Sequence, residues 1–168
     1  MAYISKNRIF EDDPNKSRIL MERGFGEEHG ERLLISPTEA LYLIDNKRIK
    51  ITDGKKELKF KELLTVLGKN DEDLDLKYIV YKDLRSKGYV VRTGFKYGTC
   101  FRVYEKGIRK GEGHSHMLIY PVPEEKKTSI TEIGGMINLS HSVKKNVLFA
   151  VVDGEGEVTY IKMGSVVL

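Results

Sequence analysis

Cysteine is nearly absent: Cys100 is alone in 168 residues. One thiol cannot build a disulfide framework, so an oxidising, secreted setting has no support. Long apolar runs are missing as well. The longest, Val147 to Val152, has six residues, against the roughly 20 a membrane-spanning helix needs. The N-terminal MAYISKNRIFEDD holds no apolar stretch of signal-peptide length. Together these absences predict a cytoplasmic protein with no membrane partner. Internal repeats and low-complexity segments are also lacking. The Gly-rich stretch from Gly24 to Gly30 has the wrong spacing for a dinucleotide fingerprint, and no Gly-Lys-Ser/Thr follows it for a P-loop. It reads as a turn.

What is present is a core-forming composition, 40% hydrophobic and 32% charged, with a net charge of +4. The charge is unevenly spread. Residues 1–75 carry 14 basic and 16 acidic side chains, whereas residues 76–168 carry 15 and 9. The base excess of the second half suits either a phosphate-bearing partner or a solvated basic face.

The first 35 residues read as short strands, Tyr3 to Phe10, Ser17 to Glu22 and Arg32 to Ile35. Ser36-Pro37-Thr38-Glu39 is a capping box that opens a helix reaching about Lys47. Phe60, Leu63, Leu64 and Leu67 fall at helical spacing before Gly68. After the acidic stretch from Asn70 to Asp75, a further helix is expected to bury Leu76, Ile79, Val80 and Leu84 and to end at Gly88. Strands are predicted from Tyr89 to Thr93, Thr99 to Lys106 and His114 to Val122, with a turn region from Gly94 to Gly98. Ser129-Ile-Thr-Glu132 opens another helix, with Ile133, Ile137 and Val143 inward. A hairpin from Asn146 to Met163 turns at Asp153 to Gly156. The fold class is α+β: a small mixed α/β N-terminal domain over 1–75, then a mixed-sheet α/β domain over 76–168.

Of four histidines, His114 and His116 share one face of an extended strand, an arrangement able to bind metal. No further ligands at zinc-site spacing accompany them, so neither a metal nor a cofactor is expected. Glu124-Glu-Lys126 offers an E-x-K match to a metal nuclease, without a clear acidic partner. In the strand around Tyr104, alternation puts Phe101 and Val103 on one face and Arg102, Tyr104 and Lys106 on the other. A phenol is a poor base near neutrality, and flanking cations favour its phenolate form. A half-buried strand tyrosine with solvated basic neighbours is the plainer reading.

Several blocks in order carry a family resemblance. Residues Tyr78 to Gly94, Phe95-Lys-Tyr-Gly, Phe101 to Gly107, His114-Ser115, His141-Ser-Val-Lys-Lys145 and Leu148 to Gly156 resemble the archaeal tRNA-splicing endonucleases, in their short single-catalytic-domain form. The resemblance is strongest from Leu76 to Lys162 and looser over the first 35 residues. It implies a nuclease-like C-terminal domain and places a catalytic Tyr, His and Lys on Tyr104, His114 and Lys145. The implied activity is metal-independent cleavage of precursor tRNA at bulge-helix-bulge intron boundaries, leaving a 2′,3′-cyclic phosphate and a 5′-hydroxyl.

By the same resemblance Tyr104 serves as base, His114 as acid and Lys145 as electrostatic stabiliser. Arg102, Lys106, Arg109 and Lys144 are candidate substrate contacts. Asp153 and Glu155 are candidate subunit contacts in a self-associating homotetramer. Where many relatives clamp a bulge base with an arginine seven residues before the catalytic lysine, this chain has Asn138, and Arg109 is a candidate substitute. A noncatalytic RNA-binding subunit of a heteromeric enzyme is the alternative.

Overall fold

The protein is described as a computed structural model covering residues 1–93, 101–105 and 117–168. Among these, the chain divides into two compact units, with Met1 to Tyr81 in the first and Lys82 onward in the second.

The first unit is built on strands β1 (Ala2–Ser5) and β2 (Arg8–Glu11), which pair antiparallel around Lys6 and Asn7. Both turn residues have positive φ, 48° and 62°. That turn breaks what the sequence predicts as one strand from Tyr3 to Phe10. Ser17 to Glu22, also expected as a strand, lies in helix α1 (Pro14–Glu22). Asp13 decides the matter: its carboxylate accepts from the backbone N–H groups of Asn15 and Lys16 at 2.9 and 3.2 Å, and Pro14 occupies the first turn.

The stretch expected as a plain turn contains β3 (Glu27–His29), which pairs with β4 (Arg32–Ile35). Helix α2 (Pro37–Asp45) starts at the predicted capping box and stops just short of Lys47. Glu39, 4% exposed, accepts from the Ser36 N–H and hydroxyl at 2.9 Å each, and from the Gly26 N–H at 3.1 Å. One local signal thus also anchors the glycine-rich segment.

Gly26 has φ +70°, and a Cβ there would meet Leu33 side-chain atoms at 2.6 to 2.8 Å. Left-handed strain and overpacking act together, so Gly26→Ala is expected to cost about 2–4 kcal/mol in a denaturant titration. An unchanged midpoint would contradict this packing.

Strands β5 (Ile51–Asp53) and β6 (Lys56–Glu57) complete a six-stranded sheet ordered β3-β4-β2-β1-β5-β6, with β1 and β5 parallel. Helix α3 (Phe60–Gly68) follows the predicted spacing and buries Leu63 and Leu67, each burial stabilising by about 2 kcal/mol. Helix α4 (Leu74–Ser86) begins in the first unit and ends in the second. Its buried residues are Leu74, Tyr78, Val80, Tyr81 and Leu84, while Leu76 and Ile79 are only half-buried. Aromatic anchoring moves the face: the Tyr78 hydroxyl donates to Asp45 at 2.6 Å, and the Tyr81 ring meets Tyr42 edge-on.

Among the described residues the second unit has five strands, β7 (Val90–Thr93), β8 (Phe101–Tyr104), β9 (Met117–Pro123), β10 (Asn146–Val152) and β11 (Val158–Met163), in the order β11-β10-β9-β8-β7. The sheet is mixed, because β9 and β10 run parallel, joined through helix α5 (Ile130–Val143), while the other pairs are antiparallel. Ser129 and Glu132 close the predicted capping box. Met136, Leu139 and Val143 of α5 pack on Leu118, Tyr120, Val147 and Phe149. Of the expected inward trio only Val143 joins that cluster, and Ile133 and Ile137 are half-buried. The predicted hairpin forms between β10 and β11. The two mixed sheets and five helices of the described residues agree with the α+β expectation. Among the described residues no helix is long and apolar enough to cross a membrane.

Candidate active site

Strand alternation and register decide where the candidate residues stand. On β8, Phe101 and Val103 are buried, and Arg102 and Tyr104 are half-buried on the opposite face. Arg102 pairs with Leu118, whose side chain packs under α5, so Arg102 and Tyr104 face the α5 side of the sheet. The Arg102 guanidinium donates through Nε to the Thr93 carbonyl at 3.1 Å.

Lys145 reaches the same side by a helix stop. α5 is capped by Lys144, which adopts the left-handed conformation with φ 53° and ψ 44°. The Lys144 N–H donates to the His141 carbonyl at 3.3 Å, and the Lys145 N–H to the Ser140 carbonyl at 3.1 Å. This paired capping turns the chain directly into β10. Lys145 falls two residues before Val147, another residue of the α5 core, and so shares its parity.

Val103, Met117 and Asn146 form one row across β8, β9 and β10. Tyr104 lies one residue beyond that row, and Lys145 one residue before it, at the same end of the sheet. At that row β8 and β10 stand two strand spacings apart, about 10 Å, a gap that a phenol and a four-carbon amine beside it can span toward one phosphate. His114, Lys106 and Arg109 lie outside the described residues, as do His116, Cys100 and the predicted turn from Gly94 to Gly98.

Electrostatically, the site concentrates positive charge. Burial, and then the charge of Arg102, hold the Lys145 amine below the ordinary lysine value. Two cations this close on a half-buried face suit an anion, since a bound phosphate would relieve both penalties.

Asn138 is exposed on α5. At the β10–β11 turn, the Asp153 carboxylate accepts from the N–H groups of Glu155 and Glu157 at 2.9 Å each, and Glu124 accepts from the Gly154 N–H at 3.1 Å. Asp153 therefore shapes the turn while Glu155 is exposed at its tip. Sequence reasoning missed that bracing by Glu124. It also missed His141 and Lys162, which join Lys144 and Lys145 around a single cleft. His141 lies within a block already singled out, but its meeting with Lys162 depends on the hairpin register.

Residues 74–160 match the tRNA intron endonuclease catalytic C-terminal domain, and residues 2–64 match the tRNA intron endonuclease N-terminal domain. The chain is 41% identical over 162 residues to the tRNA-splicing endonuclease of Pyrococcus furiosus, covering 96% of this chain and 93% of that protein. It is 39% identical over 162 residues to the tRNA-splicing endonuclease of Thermococcus kodakarensis, with 96% and 95% covered. Against that of Methanococcus maripaludis the identity is 42% over 164 residues, with 97% and 92% covered. With both domains matched and near-full-length relatives at this identity, the chain belongs to the tRNA intron endonuclease family.

Proposed function

We propose that this protein is an endonuclease that cuts precursor tRNA at bulge-helix-bulge intron boundaries without a metal, using the domain over residues 76–168. The observation that carries the reading is the convergence of Tyr104 and Lys145 on one face and one end of the sheet, beside Arg102, within the span that matches the catalytic domain. Tyr104 takes the proton from the ribose 2′-hydroxyl as its oxygen bonds to the adjacent phosphorus. The bond from phosphorus to the 5′-oxygen breaks, and His114 gives that oxygen a proton. Lys145 offsets the charge that builds on the phosphoryl oxygens. The products are a 2′,3′-cyclic phosphate and a 5′-hydroxyl. Recognition rests on RNA shape, because A-form grooves restrict base reading.

The assembly proposed is a homotetramer, with Asp153 and Glu155 at subunit contacts and Arg102, Lys106, Arg109 and Lys144 at the RNA. The test is the purified single chain with a bulge-helix-bulge precursor tRNA in EDTA. Cleavage at both boundaries is expected. Inactivity in EDTA restored by a divalent ion would overturn the metal-free mechanism, and inactivity restored only by a second protein would identify a noncatalytic subunit.

A further inference from the structure

The hairpin between β10 and β11 returns the chain to where it began. Val147 pairs with Met163 and Leu148 with Lys162, so the end of β11 lies beside the start of β10 and the last turn of α5. A cleft of about 520 Å³ opens there, and its wall includes His141, Lys144, Lys145, Lys162 and Ser165. Among the described residues, no carboxylate side chain lines it. Lys144 and Lys162 form no ion pair among the described residues, in contrast with Lys50, Lys56, Lys77 and Lys87, each of which is held by an acid. His141 Nε2 and Ser165 Oγ lie 3.3 Å apart, placing two further hydrogen-bonding groups among the amines.

Three ammonium groups, an imidazole and a hydroxyl around one open concavity form a site for a dianionic or polyanionic oxygen ligand. Lys145 lines both this cleft and the end of the sheet that carries Tyr104. We infer that the cleft is an RNA phosphate subsite, in which Lys144, Lys162 and His141 grip a backbone phosphate next to the scissile one, while Lys145 serves the reacting phosphate. The inference rests on the nuclease reading for the identity of its ligand, but not for the existence of the anion site. Its role is to add affinity for the strand beside Tyr104 and Lys145. Such contacts strengthen ground state and transition state alike.

Two measurements on the full chain test this. In the first, inorganic phosphate is titrated against wild type and Lys162→Gln while the imidazole resonances of His141 are followed by NMR. The wild-type resonances are expected to shift on saturation, with a several-fold weaker midpoint in Lys162→Gln. Absence of any shift would overturn the anion site, whatever RNA the protein cuts.

The second measures binding of precursor tRNA made uncleavable by 2′-deoxyribose at the intron boundaries, as a function of salt, with Lys16→Gln on α1 as a matched charge control. Lys162→Gln is expected to make the slope of log affinity against log salt shallower by about 0.7. Its affinity should also fall several-fold at fixed salt, and its cleavage of normal substrate at sub-saturating enzyme should fall by the same factor. A slope equal to that of the Lys16→Gln control, or loss of rate with binding unchanged, would overturn the subsite. Phosphate and RNA binding that respond to Lys162→Gln, in a wild-type protein that cuts nothing, would uphold the cleft and reject the nuclease reading.

Discussion

Lys145→Ala is expected to slow single-turnover cleavage of precursor tRNA by about 10²–10³-fold, the usual loss when one preorganised charge is removed from a developing oxyanion. The reason is the position of the amine. A left-handed stop at Lys144 delivers it to the position just before β10, on the face that carries Arg102 and Tyr104.

The same substitution is expected not to destabilise the free protein. Burial and Arg102 lower the proton affinity of Lys145 in the folded state, so the unfolded chain binds that proton more tightly. Stability therefore rises with pH through the window between the depressed folded value and the ordinary lysine value, and below that window the charged amine is a burden on the fold. On the proposed role, removing it relieves that burden at the expense of activity, the trade expected of a residue kept for its ligand. A variant that loses activity together with several degrees of melting temperature would indicate a structural lysine instead.

Tyr104→Phe is expected to cost about 10²–10⁴-fold in the same assay, the range for losing a positioned proton acceptor, with RNA affinity within about two-fold of wild type. Phenylalanine keeps the ring at the end of β8 and the neighbouring contacts of Phe101 and Val103. Only the hydroxyl is lost. Full activity in this variant would reject Tyr104 as the base and shift attention to another group at that end of the sheet. If Tyr104 and Lys145 act on one reacting phosphate, as proposed, the double variant should fall well short of the product of the two single effects.

How far the sequence foretold these features depended on how local each signal was. Ser36 with Glu39 and Ser129 with Glu132 state their helix starts within four residues, and both helices form there. Alternation along Phe101 to Tyr104 correctly separates buried from half-buried faces, because a strand's period is fixed by its backbone. At α1 the reading failed: Asp13-Pro14 is an N-cap followed by a first-turn proline, and the apolar residues after it are too few to announce helical spacing. β3 was missed because its three residues are all exposed, leaving no hydrophobic pattern to read.

On α4 the inward face is set by two tyrosines that find Asp45 and Tyr42, contacts fixed only when the first unit folds. The site shows the same division. Tyr104 and Lys145 enter as positions that the family resemblance implies, whereas the approach of Arg102 to Lys145 and the gathering of His141 with Lys162 arise from sheet register between distant segments.

The central claim is that the attacking oxygen belongs to the RNA itself. End-group analysis of the products from one round of cleavage by the purified chain tests it most directly. The account predicts a 2′,3′-cyclic phosphate on the upstream fragment, a 5′-hydroxyl on the downstream fragment, and no cleavage when the ribose at the cut site lacks its 2′-hydroxyl. A 5′-phosphate on the downstream fragment would contradict it.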